Sequence, residues 1–220
     1  MNNYFKELEK MNYQQLEHEL SGKGLLLSQE VVQGLYVYLS LLLKWNRVMN
    51  LVGPSDWKVI LNDLILDSFY LADFLNRIYD DQAGSVILDL GAGAGLPGIP
   101  LRLAWKKGSY YLVESRMKRT VFMSQALMAL DLKDTYVLNV RIQEIDPQIL
   151  PARVILSRAF MPWPELLPLV QGMLDKDGRL VILSGQRPDN QDFPEFETVD
   201  LMEYQVNRKK RYFWALAPKA

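Results

Sequence analysis

One glycine-rich stretch, residues 86–98, constrains the fold of this chain more than any other feature. Residues 86–90 read Val-Ile-Leu-Asp-Leu, a short and mostly apolar run that predicts a buried strand. Glycines then alternate from Gly91 to Gly95, and glycine adopts positive φ and lets the backbone approach a ligand closely. Pro97 follows, suited to a first helical turn. The stretch therefore predicts a strand, a tight turn and a helix whose free N–H groups can face a ligand.

Two nucleotide ligands are compatible with this turn. Residues from Gly93 to Gly98 match G-x-G-x-x-G, the pattern of dinucleotide-binding turns. Asp89, two residues before the first glycine of G-x-G-x-G, is instead typical of S-adenosylmethionine-binding turns, where the acid lies near the methionine end of the ligand. Glu114 follows the next predicted strand and could accept hydrogen bonds from the ribose hydroxyls of either ligand.

The periodicity of the chain predicts an α/β fold with a helical portion in front of it. Helical patterns cover residues 4–20, 28–45 and 57–79, and a polar loop at 80–84 marks the clearest boundary. We therefore predict a helical N-terminal extension, residues 1–84, packed on a catalytic domain, residues 85–220.

Strands and helices alternate beyond this boundary. We predict strands at 85–90, 109–113, 135–140, 153–157, 178–183, 197–206 and 211–217, and helices at 96–106, 117–130 and 163–174. Alternation predicts a mostly parallel sheet, and the last two strands form an antiparallel hairpin. Ligands of such sheets bind at the carboxyl ends of the strands, so Gly91, Glu114 and Arg158 are expected to meet in one crevice.

Composition excludes several kinds of chemistry. The chain has no cysteine, which excludes a thiolate zinc site and a cysteine nucleophile, and its one histidine, His18, argues against a histidine metal site or a Ser-His-Asp triad. No bound metal is therefore expected. Net charge is −1, so any contact with nucleic acid must rest on a local cluster. The absence of a signal-peptide pattern and of a long apolar stretch predicts a cytoplasmic protein.

Several segments extend the pattern on both sides of the glycine turn. In chain order they are Lys44-Trp45-Asn46, Ile65-Leu66-Asp67-Ser68, G-A-G-A-G-L-P-G-I-P from Gly91 to Pro100, Leu112-Val113-Glu114-Ser115 and Ser157-Arg158-Ala159. Together they resemble the bacterial 16S ribosomal RNA guanine-N7 methyltransferases, also called glucose-inhibited division protein B, from about residue 41 to the C-terminus. The resemblance implies a seven-stranded Rossmann-like class I methyltransferase sheet, S-adenosyl-L-methionine as cofactor, and 16S ribosomal RNA or a small-subunit particle as partner of a monomer.

The residues after the fourth predicted strand favour guanine N7 over an exocyclic amine as the methyl acceptor. Methyltransferases that act on exocyclic amines usually carry Asp/Asn-Pro-Pro-aromatic there, whereas this chain has Ser157-Arg158-Ala159-Phe160-Met161-Pro162, without a carboxylate or amide. Guanine N7 already has a lone pair and no proton to lose. An enzyme acting on it needs orientation rather than a general base.

The resemblance assigns roles to individual residues. It implies cofactor contacts from Gly91 and Leu96 in the turn, from Ile142 and Gln143 after the third strand, and from Arg158. It gives Glu114 the ribose hydroxyls. Asp89, near the methionine end, and Gly93 and Gly95, beneath the ligand, complete the expected cofactor contacts. Arg158 is also the expected positioning residue in catalysis, but it could equally pair with Asp89 or Glu144 to hold the fold. Asp89 could likewise cap the turn instead of touching the ligand.

The predicted RNA contacts are Lys118 and Arg119, although charged residues on a loop are usually solvated surface. For the basic run at residues 208–211 both readings stay open. The chain also departs from the family, with Asp63-Leu64 where an Arg-His pair is common and Ser184 where a lysine is common.

These departures keep two alternatives open. A non-catalytic RNA-binding or ribosome-assembly factor could retain the cofactor fold after losing positive charge from its RNA face. An NAD-dependent oxidoreductase could use the same glycine turn, but only about 100 residues follow Glu114, which leaves little room for a substrate domain.

Overall fold

Helices and strands alternate through most of the computed structural model, which describes residues 11–79, 84–188 and 193–219. The helices, in chain order, are α1 (Tyr13–Ser21), α2 (Gln29–Met49), α3 (Trp57–Ile60), α4 (Leu66–Ile78), α5 (Gly98–Ala104), α6 (Met117–Leu130) and α7 (Trp163–Val170). Short 3₁₀ turns cover Ile142–Glu144, Pro147–Ile149 and Gln171–Met173. A π-helical turn, Leu61–Ile65, joins α3 to α4.

A seven-stranded sheet forms the centre of the molecule. Its strands are β1 (Val86–Leu90), β2 (Ser109–Val113), β3 (Thr135–Leu138), β4 (Ala152–Arg158), β5 (Leu174–Ser184), β6 (Phe196–Val206) and β7 (Lys209–Pro218). They lie in the order β3-β2-β1-β4-β5-β7-β6. Strands β1 to β5 pair in parallel, and β7 pairs antiparallel to both β5 and β6. This confirms the predicted fold class, and the strand order reverses beside β1, where parallel sheets bind ligands.

Successive residues of the central strands face opposite sides of the sheet. On β1, Ile87 packs with the helices α1, α2, α4, α5 and α6, while Leu88 and Leu90 pack with α7 and the 3₁₀ turn at Ile142. The helices that precede the sheet therefore cover one face together with α5 and α6, and they share one apolar core with the strands. Period-two alternation of buried side chains is what a sheet covered on both faces requires.

Local sequence fixes the ends of the N-terminal helices. Asn12 begins α1 with a capping box, in which its side chain accepts from Gln15 N–H and the Gln15 side chain accepts from Asn12 N–H. The Ser28 hydroxyl accepts from Val31 N–H at the start of α2, and Asn50 ends that helix in the left-handed conformation. Such caps satisfy backbone groups that a helix end would otherwise leave without partners.

The third predicted helix, residues 57–79, is not a single α-helix. The π-helical turn Leu61–Ile65 interrupts it directly before Leu66. Inserting a π turn shifts the hydrogen-bonding register of the backbone, and such turns are frequently found at functional sites. Apolar periodicity alone does not distinguish the two helix types, so sequence patterns could not predict this turn.

The first predicted helix, residues 4–20, is wrong at residues 11–12, because Asn12 has an extended conformation and caps a helix that begins at Tyr13. The other boundaries agree with the predictions to within a few residues, and α6 occupies the predicted 117–130. The proposed start of the first helix, residues 4–10, and most of the predicted 80–84 loop lie outside the described residues. The division into 1–84 and 85–220 stays a prediction. Within the described part of the chain, no helix is both long and apolar enough to cross a membrane.

Candidate active site

The glycine-rich turn after β1 is held in place by its neighbours. Backbone N–H groups of Gly91 and Ala92 donate to the carbonyl oxygen of Val113, at 2.9 and 3.1 Å. From the other side, the buried Tyr38 hydroxyl of α2 donates to the Ala94 carbonyl oxygen at 2.7 Å. The predicted positive φ values are present at Gly91, Gly93 and Gly95 (68°, 60° and 75°). The N-terminal helices therefore help to shape this turn.

The three glycines are required for different physical reasons. A Cβ at Gly91 would lie 2.4 Å from Cδ2 of Phe160, and one at Gly95 would lie 2.4 Å from Cδ1 of Ile99, so protein atoms exclude both. At Gly93 the nearest atoms are Nη1 of Arg119 and the Gly91 carbonyl oxygen, at 3.6 and 3.7 Å. A Cβ at Gly93 would therefore make only ordinary van der Waals contacts, so protein atoms leave room there for a ligand that passes close to the backbone.

Glu114 connects this turn to the end of β2. Its Oε2 accepts from Gly93 N–H at 3.2 Å and from Arg119 Nη1 at 3.4 Å, and its Oε1 accepts from Arg116 N–H at 2.9 Å. A carboxylate has about four acceptor positions, so about one remains free on this buried group. Glu114 can therefore accept from one ribose hydroxyl as it stands, and a second would have to replace a present donor such as Arg119, whose contact is the longest of the three at 3.4 Å.

A cavity of about 370 Å³, the glycine-turn cavity, opens beside Glu114. Four predicted cofactor residues line it: Gly91, Glu114, Ile142 and Gln143. Gly93, Gly95 and Leu96 shape the turn without lining the cavity, and Leu96 packs against the core. The crevice expected at the strand ends therefore brings Gly91 and Glu114 together, but the expectation that Arg158 also lines it is wrong, because Arg158 lines a separate cavity. The glycine wall of the crevice is formed by the first glycine rather than by all three.

Asp89 lies beneath the turn rather than in this cavity. Its carboxylate is buried, accepts from the Tyr110 hydroxyl at 3.0 Å, and lies against Gly98 at the start of α5. Burial raises the pKa of Asp89 to about 7, against the opposing effects of hydrogen bonds from Tyr110 and the Gly98 backbone. These contacts match the alternative in which Asp89 caps the turn.

Arg158 faces a second cavity of about 500 Å³, the Arg158 cavity, at the carboxyl ends of β4 and β5. The guanidinium donates to the carbonyl oxygens of Leu64 at 2.6 Å and Asp63 at 3.4 Å, and Nη2 lies 3.3 Å from Oδ2 of Asp67. No ion pair joins Arg158 to Asp89 or Glu144 among the described residues; its acidic partner is Asp67. The ion pair predicted as the structural role of Arg158 is therefore present, but its partner is Asp67 and the two predicted partners are wrong.

Asp67 is the centre of this network. A second arginine, Arg211 of β7, contacts its Oδ2 and also donates to the Asp63 carbonyl oxygen at 2.8 Å. Burial raises the pKa of Asp67 even though both arginines act to lower it. Tyr204 of β6 lies beside the same carboxylate, and burial together with that negative charge raises the pKa of its phenol. The π-helical turn thus presents its carbonyl groups to arginines from two different strands.

Ala159 belongs to both cavities and has an unusual backbone conformation. It follows Arg158 and lines the glycine-turn cavity as well as the Arg158 cavity. Its φ is +49°, in the left-handed region that costs a residue with a side chain about 1–2 kcal/mol. Strain of this kind is often stored at functional sites, and here it turns the chain between the two cavities.

The two predicted RNA-binding residues point to different surroundings. Lys118 is exposed on α6, as an RNA contact would require. Arg119 instead lines the glycine-turn cavity, where it pairs with Glu114. The structure therefore associates Arg119 with the candidate cofactor site rather than with an outer RNA surface.

Sequence reasoning missed several residues of the two cavities. Phe160 and Met161 line the glycine-turn cavity, and their place directly after Ser157-Arg158-Ala159 was the available signal. Asp67, Tyr204 and Arg211 line the Arg158 cavity. Asp67 stood in a quoted motif without a role, and nothing local connects residue 67 with residue 211. Within the described residues, no cluster of acidic and histidine side chains could hold a metal ion.

The sequence matches proteins of one family along most of its length. The family model described as GidB, rRNA small subunit methyltransferase G, matches residues 31–210. Ribosomal RNA small subunit methyltransferase G of Oleidesulfovibrio alaskensis is 42% identical over 206 residues, covering 89% of this chain and 90% of that protein. The protein of the same name from Lawsonia intracellularis is 43% identical over 195 residues, with 88% and 89% covered.

Solved structures share the fold at low sequence identity. An S-adenosylmethionine-dependent methyltransferase from Aquifex aeolicus has a TM-score of 0.54 at 17% identity, covering 78% of this chain and 97% of that chain. An rRNA methylase from Streptococcus thermophilus has a TM-score of 0.51 at 20% identity, with 69% and 95% covered. These likenesses concern the fold alone, whereas the sequence matches concern the family. The chain belongs to the family of rRNA small subunit methyltransferase G, or GidB.

Proposed function

We propose that this protein transfers the methyl group of S-adenosyl-L-methionine to N7 of a guanine in 16S ribosomal RNA. Family membership and the methyltransferase fold support the reaction class and the methyl donor. The single observation that carries the proposal is the pair of adjoining cavities at the carboxyl ends of the strands, which share Ala159. A group-transfer enzyme needs two such adjoining sites, one for each reactant.

The glycine-turn cavity fits the donor. Gly93 leaves open space beside the backbone, Glu114 retains acceptor capacity for a ribose hydroxyl, and Ile142 with Phe160 offers apolar contact. We assign Gly91, Gly95, Leu96 and Asp89 to the shape of the turn. Gln143 and Arg119 supply polar groups at the cavity wall. When bound, S-adenosylmethionine supplies an electrophilic methyl group on a sulfonium centre.

The residues around both cavities suit transfer to an atom that carries no proton. The described cavity walls hold carboxylates, arginines, lysines and one tyrosine, Tyr204, but no histidine; His18 lies on α1. Guanine N7 requires no general base, so the chain has only to orient it and exclude water. Arg158 acts in this proposal as a positioning residue, because it fixes the loop that carries Ala159.

The proposed RNA partner is 16S ribosomal RNA or a small-subunit particle. Exposed basic residues near the two cavities, Lys118 on α6 and Lys209 and Lys210 on the β6–β7 turn, could meet phosphate groups. With ribosomal RNA as the proposed substrate, the proposed location is the cytoplasm. Its monomeric state remains a prediction.

A deletion strain provides the test of the reaction. We expect its 16S ribosomal RNA, naked or in particles, to gain one 7-methylguanine when incubated with this protein and S-adenosylmethionine, as mapped by mass spectrometry. RNA binding without methylation would favour the assembly-factor alternative instead. A thermal shift with NAD and none with S-adenosylmethionine would overturn the donor, which at a hundred times its dissociation constant should stabilise the protein by about 2.7 kcal/mol.

A further inference from the structure

The Arg158 cavity contains a buried acceptor without a partner. Oδ2 of Asp67 is engaged by Arg158 and Arg211, whereas Oδ1 is buried and accepts no hydrogen bond of normal geometry from the described residues. Buried polar atoms are nearly always paired, so an exception calls for an explanation. Asp67 is also the only acidic residue among the described residues that line this cavity.

Two arginines hold one oxygen of this carboxylate. Their guanidinium groups offset part of the cost of burying the charge and fix the orientation of the carboxylate, although burial still raises its pKa. The other oxygen, Oδ1, is covered in this structure, and its residue lines a cavity of about 500 Å³. Tyr204 lies close to the same carboxylate, so a base that reaches Oδ1 must displace the phenol.

A purine base carries its recognition groups and N7 on opposite edges. The Watson–Crick edge of guanine presents two adjacent donors, N1–H and the 2-amino group, which a carboxylate accepts. Adenine presents an acceptor at N1, which a carboxylate repels. With the Watson–Crick edge against Asp67, N7 points away from it. The glycine-turn cavity adjoins the Arg158 cavity at Ala159, so N7 can face the methyl donor.

We infer that Asp67 selects guanine in the Arg158 cavity by accepting from N1–H and the 2-amino group. This inference rests on the proposed function and adds a specificity-determining residue to it. Lys209 and Lys210, exposed at the mouth of the same cavity, are suited to the phosphate of the nucleotide that inserts. Asp67 therefore recognises the base, and the lysines recognise only the backbone.

Mononucleotides test this inference on the full-length protein. With S-adenosylhomocysteine saturating, calorimetry should give GMP at least about tenfold higher affinity than AMP, since adenine loses the hydrogen bonds from base to charged acceptor. IMP lacks the 2-amino group and should bind more weakly than GMP. Equal affinities for GMP and AMP, or no binding of either at millimolar concentration, would overturn the inference.

The variant Asp67→Asn separates recognition from a structural role. In this variant the arginines, which only donate, keep the amide oxygen, so an NH2 group replaces Oδ1. That group can donate to adenine N1 but cannot accept from guanine, so the variant should lose about tenfold or more for GMP and prefer AMP. A residue that only supports the fold would weaken both nucleotides equally. Asp63→Asn is the control, because Asp63 pairs with Lys209 and Asn207 outside the cavity wall, and it should keep the preference for GMP.

The outcomes distinguish this inference from the proposed function. Affinity for S-adenosylhomocysteine shows whether Asp67→Asn still folds. If the variant does not fold, the comparison of GMP with IMP on the wild-type protein tests the inference instead. A wild-type protein that forms 7-methylguanine in 16S ribosomal RNA but has the same GMP-to-AMP ratio as Asp67→Asn refutes only the role of Asp67. Failure of the wild type to form 7-methylguanine refutes the proposed function itself.

Discussion

The two cavities of this protein are neighbours, but they are constructed in different ways. The glycine-turn cavity is formed mainly by loops that directly follow β1, β2 and β3, with the backbone of Gly91 and the carboxylate of Glu114. The Arg158 cavity is formed by side chains of segments far apart in sequence, including Asp67, Arg158 and Arg211. The first depends on backbone conformation, and the second depends on buried charge.

This difference predicts different consequences of mutation. Strain or bulk in the glycine turn should impair binding more than folding. The turn lies beyond the carboxyl end of β1, outside the sheet, and its main-chain hydrogen bonds persist. Loss of an arginine from the Arg158 cavity should impair folding as well, since it leaves part of a buried charge uncompensated. Substitutions in the two cavities can therefore test whether binding and folding stability respond differently.

Because its carboxyl group is buried, Asp89 should make the largest pH-dependent contribution to the free energy of unfolding. Its pKa is raised to about 7 in the folded protein from the ordinary 3.8, so the folded state holds the proton more tightly. Stability from this group is present at low pH and falls as pH rises from about 4 to 7, by at most about 4 kcal/mol. Asp89→Asn should remove this slope in denaturant unfolding measured at about pH 5 and 8. The exposed Asp73→Asn should retain it.

Removal of Arg158 should show whether the second cavity supports the fold. Arg158→Ala deletes the ion pair with Asp67 and the donors to the π-helical turn, and should reduce the free energy of unfolding by about 3 kcal/mol. Arg179→Ala, which removes an arginine that donates only to nearby carbonyl groups, should change it by less than about 1 kcal/mol. Equal losses in the two variants would contradict the network described here.

The same variant sharpens the mechanism. In single-turnover methylation with saturating substrates, the rate of the wild type should be nearly flat from about pH 6.5 to 8.5, because N7 carries no proton. Arg158→Ala should lower the rate without introducing a pH dependence. A log-linear rise of the rate with pH would indicate a proton removed in the rate-limiting step, and the N7 assignment would then have to be abandoned.

Unlike Arg158→Ala, the variant Gly93→Val should impair binding of the methyl donor and leave folding stability largely unchanged. A side chain at φ +60° strains the turn and fills the open space beside it, so affinity for S-adenosylmethionine should fall about 100-fold or more while the protein remains folded. Calorimetry and circular dichroism measure the two effects. Gly53→Val is a matched control, since Gly53 has open space without positive φ and lies outside both cavities.

Single substitutions should separate the pair Lys118 and Arg119. Arg119→Ala removes the partner of Glu114 and should weaken S-adenosylmethionine binding severalfold, an effect of about 1 kcal/mol. Lys118→Ala should leave donor binding unchanged and reduce the salt slope of RNA binding by about one unit. If Lys118→Ala weakened donor binding and Arg119→Ala changed only the salt slope, the contact between Arg119 and Glu114 would be unimportant for donor binding.

The smallest expected effect concerns the residue that both cavities share. Ala159→Gly should stabilise the fold by about 1 kcal/mol or less, because glycine removes the left-handed strain while increasing the entropy of the unfolded chain. Thermal unfolding of this variant beside the wild type measures the difference. Destabilisation would show that the Ala159 methyl group contributes more through packing than its backbone conformation costs.

The fold class and the glycine-turn cavity could be predicted from the sequence alone. Apolar strands, glycines at alternate positions and acids at strand ends are local signals, because backbone conformation and strand order follow from short-range chemistry and alternation. Gly91, Glu114, Ile142 and Gln143 therefore came together as predicted. Each of them directly follows a predicted strand or lies in the loop beyond one.

Tertiary structure decided the partners of the charged side chains. Asp89 carried the acid of a ligand-binding pattern, yet burial against Tyr110 and Gly98 makes it a cap of the turn. Arg119 faces Glu114, and Arg158 and Arg211 meet at Asp67 across more than 90 residues of sequence. A charge finds the counter-charge that the packing brings within a few ångströms, and that distance depends on the whole fold. The sequence located the chemistry along the chain, and only the packed sheet and helices determined which charges met.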